Sequence, residues 1–464
     1  MEMRFYRSVF ILAVLMLAAF AVTVSAQDMT MTPSVTVSDQ LSLDGEVVVD
    51  EIWSDGPGFI VIHADSDGAP GPVIGYRQIN DGASQGVAVD IDPRQATPTL
   101  HAMLHVDTGE VGVYEFGQVE GADVPVRVDD VVVNVPFNVE LVRAYDQLLE
   151  NDTVTIDAVV ASENGFIVVH ADGGGQPGPV LGFAQIAEGG NFDVAVDLEG
   201  DITGVLYPML HVDTGEEGVY EFGQVEGADG PVVVDGRVAT FPIETGSPSM
   251  RVPDQIVTDT VVAESVVSDG PGWLVIHADG GGSPGPVIGF AAVDDGLNVD
   301  VSVDVDAENV TPVLYPMLHV DTGEEGTYEF GQVEGADSPV MIDGSVLTFP
   351  IDAAPSITYS GMISGATVTV DAALIDTQGW LVIHADDDGS PGAVLGYAPL
   401  VPGLNEDVSV ELSADGITET LYPMLHVDTG EVGVYEFGQV EGADTPIRVN
   451  DMVVTGPMQP DEMD

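Results

Sequence analysis

The chain runs to 464 residues and sets 78 acidic side chains against nine basic ones, a formal charge of −69. Every one of the nine is arginine, so no basic footprint is available for a nucleic acid or an anionic membrane surface. A 45% share of hydrophobic residues is too much for an acidic disordered polymer, and the absence of cysteine excludes disulfides, thiolate metal sites, a cysteine nucleophile and a cysteine-linked lipid anchor.

At the N-terminus, Arg4 and Arg7 precede an apolar run from Val9 to Val22, followed by Val24-Ser25-Ala26. A basic start, a run of this length and small residues at the end make a secretory signal peptide over 1–26, cleaved after Ala26. The alternative, an uncleaved anchor, needs about 20 apolar residues, more than this run offers. No second apolar run follows, so the mature chain is expected to be secreted or held at the cell surface without membrane insertion.

Beyond the leader one unit is written four times. A His-Ala-Asp triplet begins at His63, His170, His277 and His384, and a Leu-His-Val-Asp-Thr-Gly-Glu block places its histidine at His105, His211, His319 and His426. Each copy closes on Tyr-Glu-Phe-Gly-Gln-Val-Glu-Gly-Ala-Asp, starting at Tyr114, Tyr220, Tyr328 and Tyr435. A period of about 107 residues is a whole small domain and too long for a solenoid unit. The units are expected at 33–138, 139–246, 250–352 and 355–457, with 458–464 as an acidic tail.

Inside a unit the pattern is one of short strands. In the third copy Val261-Val262, Trp273 to Ala278, Val287 to Phe290, Val299 to Val305 and Val313 to Val320 are β-branched or alternating runs between Gly, Pro and Asp clusters. The acidic pentad from Asp146 to Glu150 is too short for an amphipathic helix. About seven strands in about 105 residues predict an all-β chain of four tandem immunoglobulin-like antiparallel β-sandwich domains, with small β-barrels the runner-up. Spread over four units, the charge amounts to about −17 each, and self-repulsion is expected to extend them like beads on a string.

The candidate chemistry lies in the histidines. Alternation puts Leu274, Ile276 and Ala278 on one face of their strand and Trp273, Val275, His277 and Asp279 on the other. It likewise separates Leu314, Leu318 and Val320 from Tyr315, Met317, His319 and Asp321. If the two strands are neighbours, both His-x-Asp pairs lie together outside the core. Two imidazoles and two carboxylates would then converge on a divalent metal such as zinc or copper. The candidate ligands are His63, Asp65, His105 and Asp107; His170, Asp172, His211 and Asp213; His277, Asp279, His319 and Asp321; and His384, Asp386, His426 and Asp428. In the competing structural reading the histidines bond loop carbonyls and the aspartates cap the turns that follow. Calcium is a further candidate cofactor, through Asp65-Ser66-Asp67-Gly68, Asp386-Asp387-Asp388-Gly389 or the Asp107-Thr108-Gly109-Glu110 loop and its copies. No repeated serine accompanies the histidines and no glycine-rich loop opens a helix, so no catalytic set is recognised.

At the level of Val-Ile-His-Ala-Asp, Gly-Pro-Val-Ile-Gly-Phe, Met-Leu-His-Val-Asp-Thr and Ala-Asp-Gly-Pro-Val, the units resemble an uncharacterised domain family of secreted and surface proteins in haloarchaea and some bacteria. The family's Asp-Gly-Pro-Tyr turn stands here as Asp229-Gly230-Pro231-Val232; the other copies replace the glycine with Val124, Ser338 and Thr445. The resemblance covers all four units and implies a sandwich-like extracellular module with no known activity. The expectation is a non-enzymatic secreted or cell-surface protein with a structural, adhesive or ligand-binding role, its partner an extracellular protein, glycan or envelope component. An exported metal-binding protein is the alternative.

Overall fold

The computed structural model describes residues 32–464 except 361, 365, 414–415, 460 and 463–464, so the expected signal peptide lies outside the described residues. The first repeat opens with β1 (Ser34–Thr36), β2 (Gln40–Ser42), β3 (Glu46–Ser54), β4 (Gly58–Ser66), β5 (Ala69–Ile79), β6 (Gly82–Asp90) and β7 (Thr99–Val106). It closes with a small hairpin, β8 (Arg127–Val128) and β9 (Val131–Val132), and with β10 (Asn134–Arg143). Two sheets form, one in the order β1-β3-β6 and the other β5-β4-β7-β10, with β2 pairing parallel to β10. This is an immunoglobulin-like sandwich, and the two separate sheets exclude the closed barrel. The other three repeats reproduce it, with the third repeat's central strands at Gly272–Asp279 and Val313–Val320. Only a three-residue 3-10 turn, Ala307–Asn309, interrupts the all-β pattern among the described residues.

Alternation predicts the inner faces well. Leu274, Ile276, Ala278, Leu314 and Leu318 all sit in the third core, and Ile60, Ile62, Leu100 and Leu104 in the first. Met458, assigned from sequence to the acidic tail, is 2% exposed and belongs to the fourth core. Glycine at the start of each central strand permits a close approach. A Cβ on Gly272 would lie 2.5 Å from the carbonyl oxygen of His319, closer than real contacts allow.

The repeats are not beads on a string. β10 pairs with β7 through residues 134–138 and then with β11 (Thr153–Ala161) of the second repeat through residues 141–143, so one strand serves two domains. Ala158 and Val160 of β11 are buried within the first repeat's core cluster. The first repeat also meets the fourth: Arg77 donates to the Leu404 carbonyl at 2.7 Å and Asn80 to the Leu400 carbonyl at 3.2 Å. Gly433 of the fourth repeat packs so tightly there that a Cβ would lie 2.6 Å from the Cβ of Asp81. Repulsion therefore does not hold these repeats apart.

The copies at the other repeats carry alanine where the first has Arg77 (Ala184, Ala291 and Ala398), so this closure is peculiar to the first unit. Replacing both Arg77 and Asn80 with alanine removes a charged and a neutral hydrogen bond, together worth about 2–4 kcal/mol. The variant is expected to show a larger radius of gyration in small-angle scattering, with the unfolding of individual repeats unaltered. An unchanged radius would contradict the contact.

Candidate functional site

The two histidines of each repeat stand on adjacent strands of one sheet, on the face away from the core. In the first repeat the antiparallel register sets Phe59 opposite His105, Val61 opposite Met103 and His63 opposite His101. His63 and His105 lie diagonally across the Val61–Met103 pair and lean together until their ring centroids are 5.9 Å apart. The same pairs in repeats two, three and four stand at 6.0, 6.0 and 5.7 Å. The first histidine of each pair sits at a β-bulge, where pairing with the next strand slips on both sides of it. A bulge re-aims a side chain, and strand alternation alone does not reveal it.

Being off the core does not make this face open to solvent. His63 is 5% exposed and His105 is fully buried. The segment that follows the second histidine folds back over the sheet and roofs it. Tyr114 packs on Phe59 and Val61, and the edge of Phe116 meets the His105 ring at 4.8 Å. Phe222, Phe330 and Phe437 do the same to His211, His319 and His426.

One aspartate per repeat pins this roof. Asp123 is fully buried in a left-handed conformation at φ 46°, a region that aspartate tolerates better than most residues. Its carboxylate accepts from the amides of Thr108 and Glu115, and its own amide donates to the Thr108 hydroxyl. Its carbonyl accepts from His105 Nδ1 at 2.6 Å. Asp229, Asp337 and Asp444 repeat the arrangement. Sequence reasoning missed these four residues. The available signal was the Tyr-Glu-Phe block ahead of each, whose aromatic rings needed a surface to cover.

The tautomer of all eight histidines follows from these contacts. A carbonyl only accepts, so Nδ1 carries the proton wherever it meets one. His63, His170, His277 and His384 donate to Gly71, Gly178, Gly285 and Gly392 at 2.8–2.9 Å. His105, His211, His319 and His426 donate to their pinning aspartates at 2.6–2.7 Å. Every Nε2 is thereby left as an unprotonated imine, and all eight are buried without a hydrogen-bond partner. Burial lowers the pKa of His105, His211, His319 and His426 to about 4, opposed by the carbonyl bond. Burial also lowers that of His63 and His384.

The aspartates of the His-x-Asp pairs go elsewhere. Asp65, Asp172, Asp279 and Asp386 accept turn amides from Gly68, Gly175, Gly282 and Gly389. Asp107, Asp213, Asp321 and Asp428 accept from Gly112, Gly218, Gly326 and Gly433 with one oxygen, while the other oxygen is buried and unpartnered. Among the described residues no group of three or more His, Asp or Glu side chains has the spacing to hold a metal ion. The structure therefore brings the imidazoles together and leaves the carboxylates at the turns. In the loop weighed for calcium, Glu115 accepts the Glu110 amide. The first repeat differs in one respect: His101, where the others have tyrosine, pairs with Asp65 at 2.9 Å and holds that carboxyl below its usual range.

A family model described as Domain of unknown function (DUF7282) matches residues 33–140, 141–244, 248–352 and 355–459. No curated protein matches the chain. Among solved structures, it is similar to E. coli alpha-2-macroglobulin in its native conformation, at 10% identity and a TM-score of 0.14, over 93% of this chain and 32% of that one. It is also similar to a tetra-tandem repeat from the extending region of a large adhesion protein, at 13% identity, a TM-score of 0.14 and coverage of 86% and 97%. The N-terminal eight Ig domains of Down Syndrome Cell Adhesion Molecule match at 9% identity, a TM-score of 0.17 and coverage of 93% and 56%. The chain spans about a third of the macroglobulin's length. At these scores the likenesses carry no functional argument.

Two outcomes follow from the buried chemistry. Asp337→Ala strips the Thr322 and Glu329 amides of a charged acceptor and is expected to cost the third repeat about 3 kcal/mol in denaturant unfolding; a loss below about 1 kcal/mol would place the roof's anchor elsewhere. Because four histidines titrate at about 4 when folded and near 6.5 when unfolded, the unfolded chain binds protons first as pH falls. Their stabilising contribution is complete above about pH 6.5 and fades towards pH 4. Denaturation midpoints at pH 7 and pH 4.5 should differ less in His319→Gln than in the wild type.

Proposed function

Given that the chain belongs to the family Domain of unknown function (DUF7282) across all four repeats, we propose that it is an exported, non-enzymatic array in which each repeat holds one transition-metal ion between its two buried histidines. The observation that carries this reading is the set of eight orphaned imines. A buried acceptor without a donor costs free energy of order 1–3 kcal/mol, and this chain repeats that cost eight times in four equivalent places. A metal ion supplies the missing partner.

The surroundings suit that role. Neutral imidazole is the ligating form, and the Nδ1–H bond to a carbonyl leaves each Nε2 lone pair available for an ion. A metal-bound histidine typically gives its second ring nitrogen's proton to a carbonyl, which orients the ring, and all eight do so here. With metal–nitrogen bonds of about 2.0–2.1 Å, two imidazoles on one ion have ring centroids roughly 5–6 Å apart, close to the spacing found. Four sites in one secreted chain make a carrier or store, and the roof shields each from bulk water.

A single buried water is the rival occupant, since its two protons would satisfy both imines. Metal analysis of the chain purified without chelator separates the two. About four equivalents of transition metal are expected, falling to about three in His277→Ala, where the three untouched repeats act as internal controls. A metal-free chain that takes up no copper, zinc or cobalt on titration would overturn the proposal in favour of the water.

A further inference from the structure

We propose that the ion is monovalent copper and that Met103, Met209, Met317 and Met424 supply its thioether ligand. This rests on the histidine site above and deepens it. The donor inventory is the first argument. Each site offers two imidazole nitrogens, and among the described residues no third histidine or carboxylate joins them at a spacing that could hold an ion; His101, opposite His63 in the first repeat, gives its Nε2 to Asp65. Structural zinc is almost always closed by four nitrogen, sulfur or oxygen ligands, which this set does not provide. Monovalent copper is satisfied with fewer, softer donors, and thioether sulfur selects for it.

Placement of the methionines is the second argument. Met317 lies two residues before His319 on the same strand and the same face, opposite Val275, which lies two residues before His277. It therefore sits in the register position that the two leaning rings span. The other three methionines hold the same position opposite Val61, Val168 and Val382. All four are 6–7% exposed, although none belongs to the main hydrophobic cores between the sheets. Each methionine is thus a buried side chain on the imidazole-bearing face of the sheet, outside the cores between the sheets.

Charge is the third. Two neutral imidazoles and a thioether bring no negative charge; the fully buried Asp337 of the third repeat spends its oxygens on the Thr322 and Glu329 amides, and Asp321, with one oxygen on the Gly326 amide, forms no ion-holding group with the two histidines. The cost of burying an ion grows with the square of its charge, so a divalent ion would pay about four times the desolvation of a monovalent one. The aromatic roof sharpens that difference by excluding water from the site.

The test is anaerobic titration of the metal-free full-length chain with Cu(I) in competition with a chromophoric Cu(I) chelator, with parallel titrations of Zn(II) and Co(II). Uptake of about four Cu(I) per chain is expected, undisturbed by a tenfold excess of Zn(II). Leucine fills nearly the same volume as methionine, so the quadruple variant M103L/M209L/M317L/M424L should keep its thermal melt and weaken Cu(I) binding at least tenfold. Its X-ray absorption spectrum should lose the sulfur shell and retain the nitrogen shell. Should the quadruple variant melt early, Met317→Leu alone, with three intact repeats, should weaken one equivalent in four. Zn(II) or Co(II) bound as tightly as Cu(I), or Cu(I) affinity unmoved by the methionine changes, would overturn the copper assignment and leave the histidine site standing. No uptake of any of the three ions would end both.

Discussion

The outer face of each histidine-bearing sheet depends on a single buried aspartate. Asp123 and its three counterparts each make four hydrogen bonds, through carboxylate, amide and carbonyl, and those bonds tie a loop to the strand it left. They fasten the Thr108 and Glu115 amides of that loop to a fully buried carboxylate. The same residue's carbonyl takes the Nδ1 proton of the second histidine and so decides where that ring's lone pair resides. Folding of the roof and chemical character of the imidazole are thus one event. A sandwich whose outer face would ordinarily meet water gains a second, smaller apolar layer, with Phe59, Val61 and Tyr114 in the first repeat.

Three of the scarce arginines stand at junctions between repeats. Arg94 of the first repeat reaches Asp157 and Asp193 of the second, Arg143 on the shared strand meets the same Asp157, and Arg77 reaches the fourth repeat's backbone. Exposed pairs of this kind stabilise little singly, yet they neutralise charge where two acidic surfaces would otherwise repel. Repulsion estimated from net charge alone predicts extension, because it averages over the surface. The fold depends on where the few positive charges stand.

Much of this was legible in the residues. The period of the histidine triplets defined the repeats, and alternation through Leu274, Ile276 and Ala278 identified the core face and placed His277 and His319 on its reverse. That the strands carrying them are neighbours was only a condition that a sandwich allows, and the register between them meets it. Three things were not legible. Two-residue periodicity cannot register a bulge at His277, which adds a residue on one strand only. It cannot tell a solvent-facing surface from one roofed by a distant loop. Nor does it choose between the two readings of Asp279 and Asp321, as metal ligands or as turn caps; their bonds to the amides of Gly282 and Gly326 depend on backbone geometry that alternation does not carry.

The strand shared between the first two repeats bears on how the chain is made and on how it carries load. The first sandwich gains its last strand only once residues up to 143 have emerged, and by then the opening strand of the second is already in place. Order of appearance and order of assembly therefore coincide at that joint. A pull along the chain meets there no slack segment to lengthen. It must shear backbone ladders on two sheets together, which makes this pair of domains one mechanical unit.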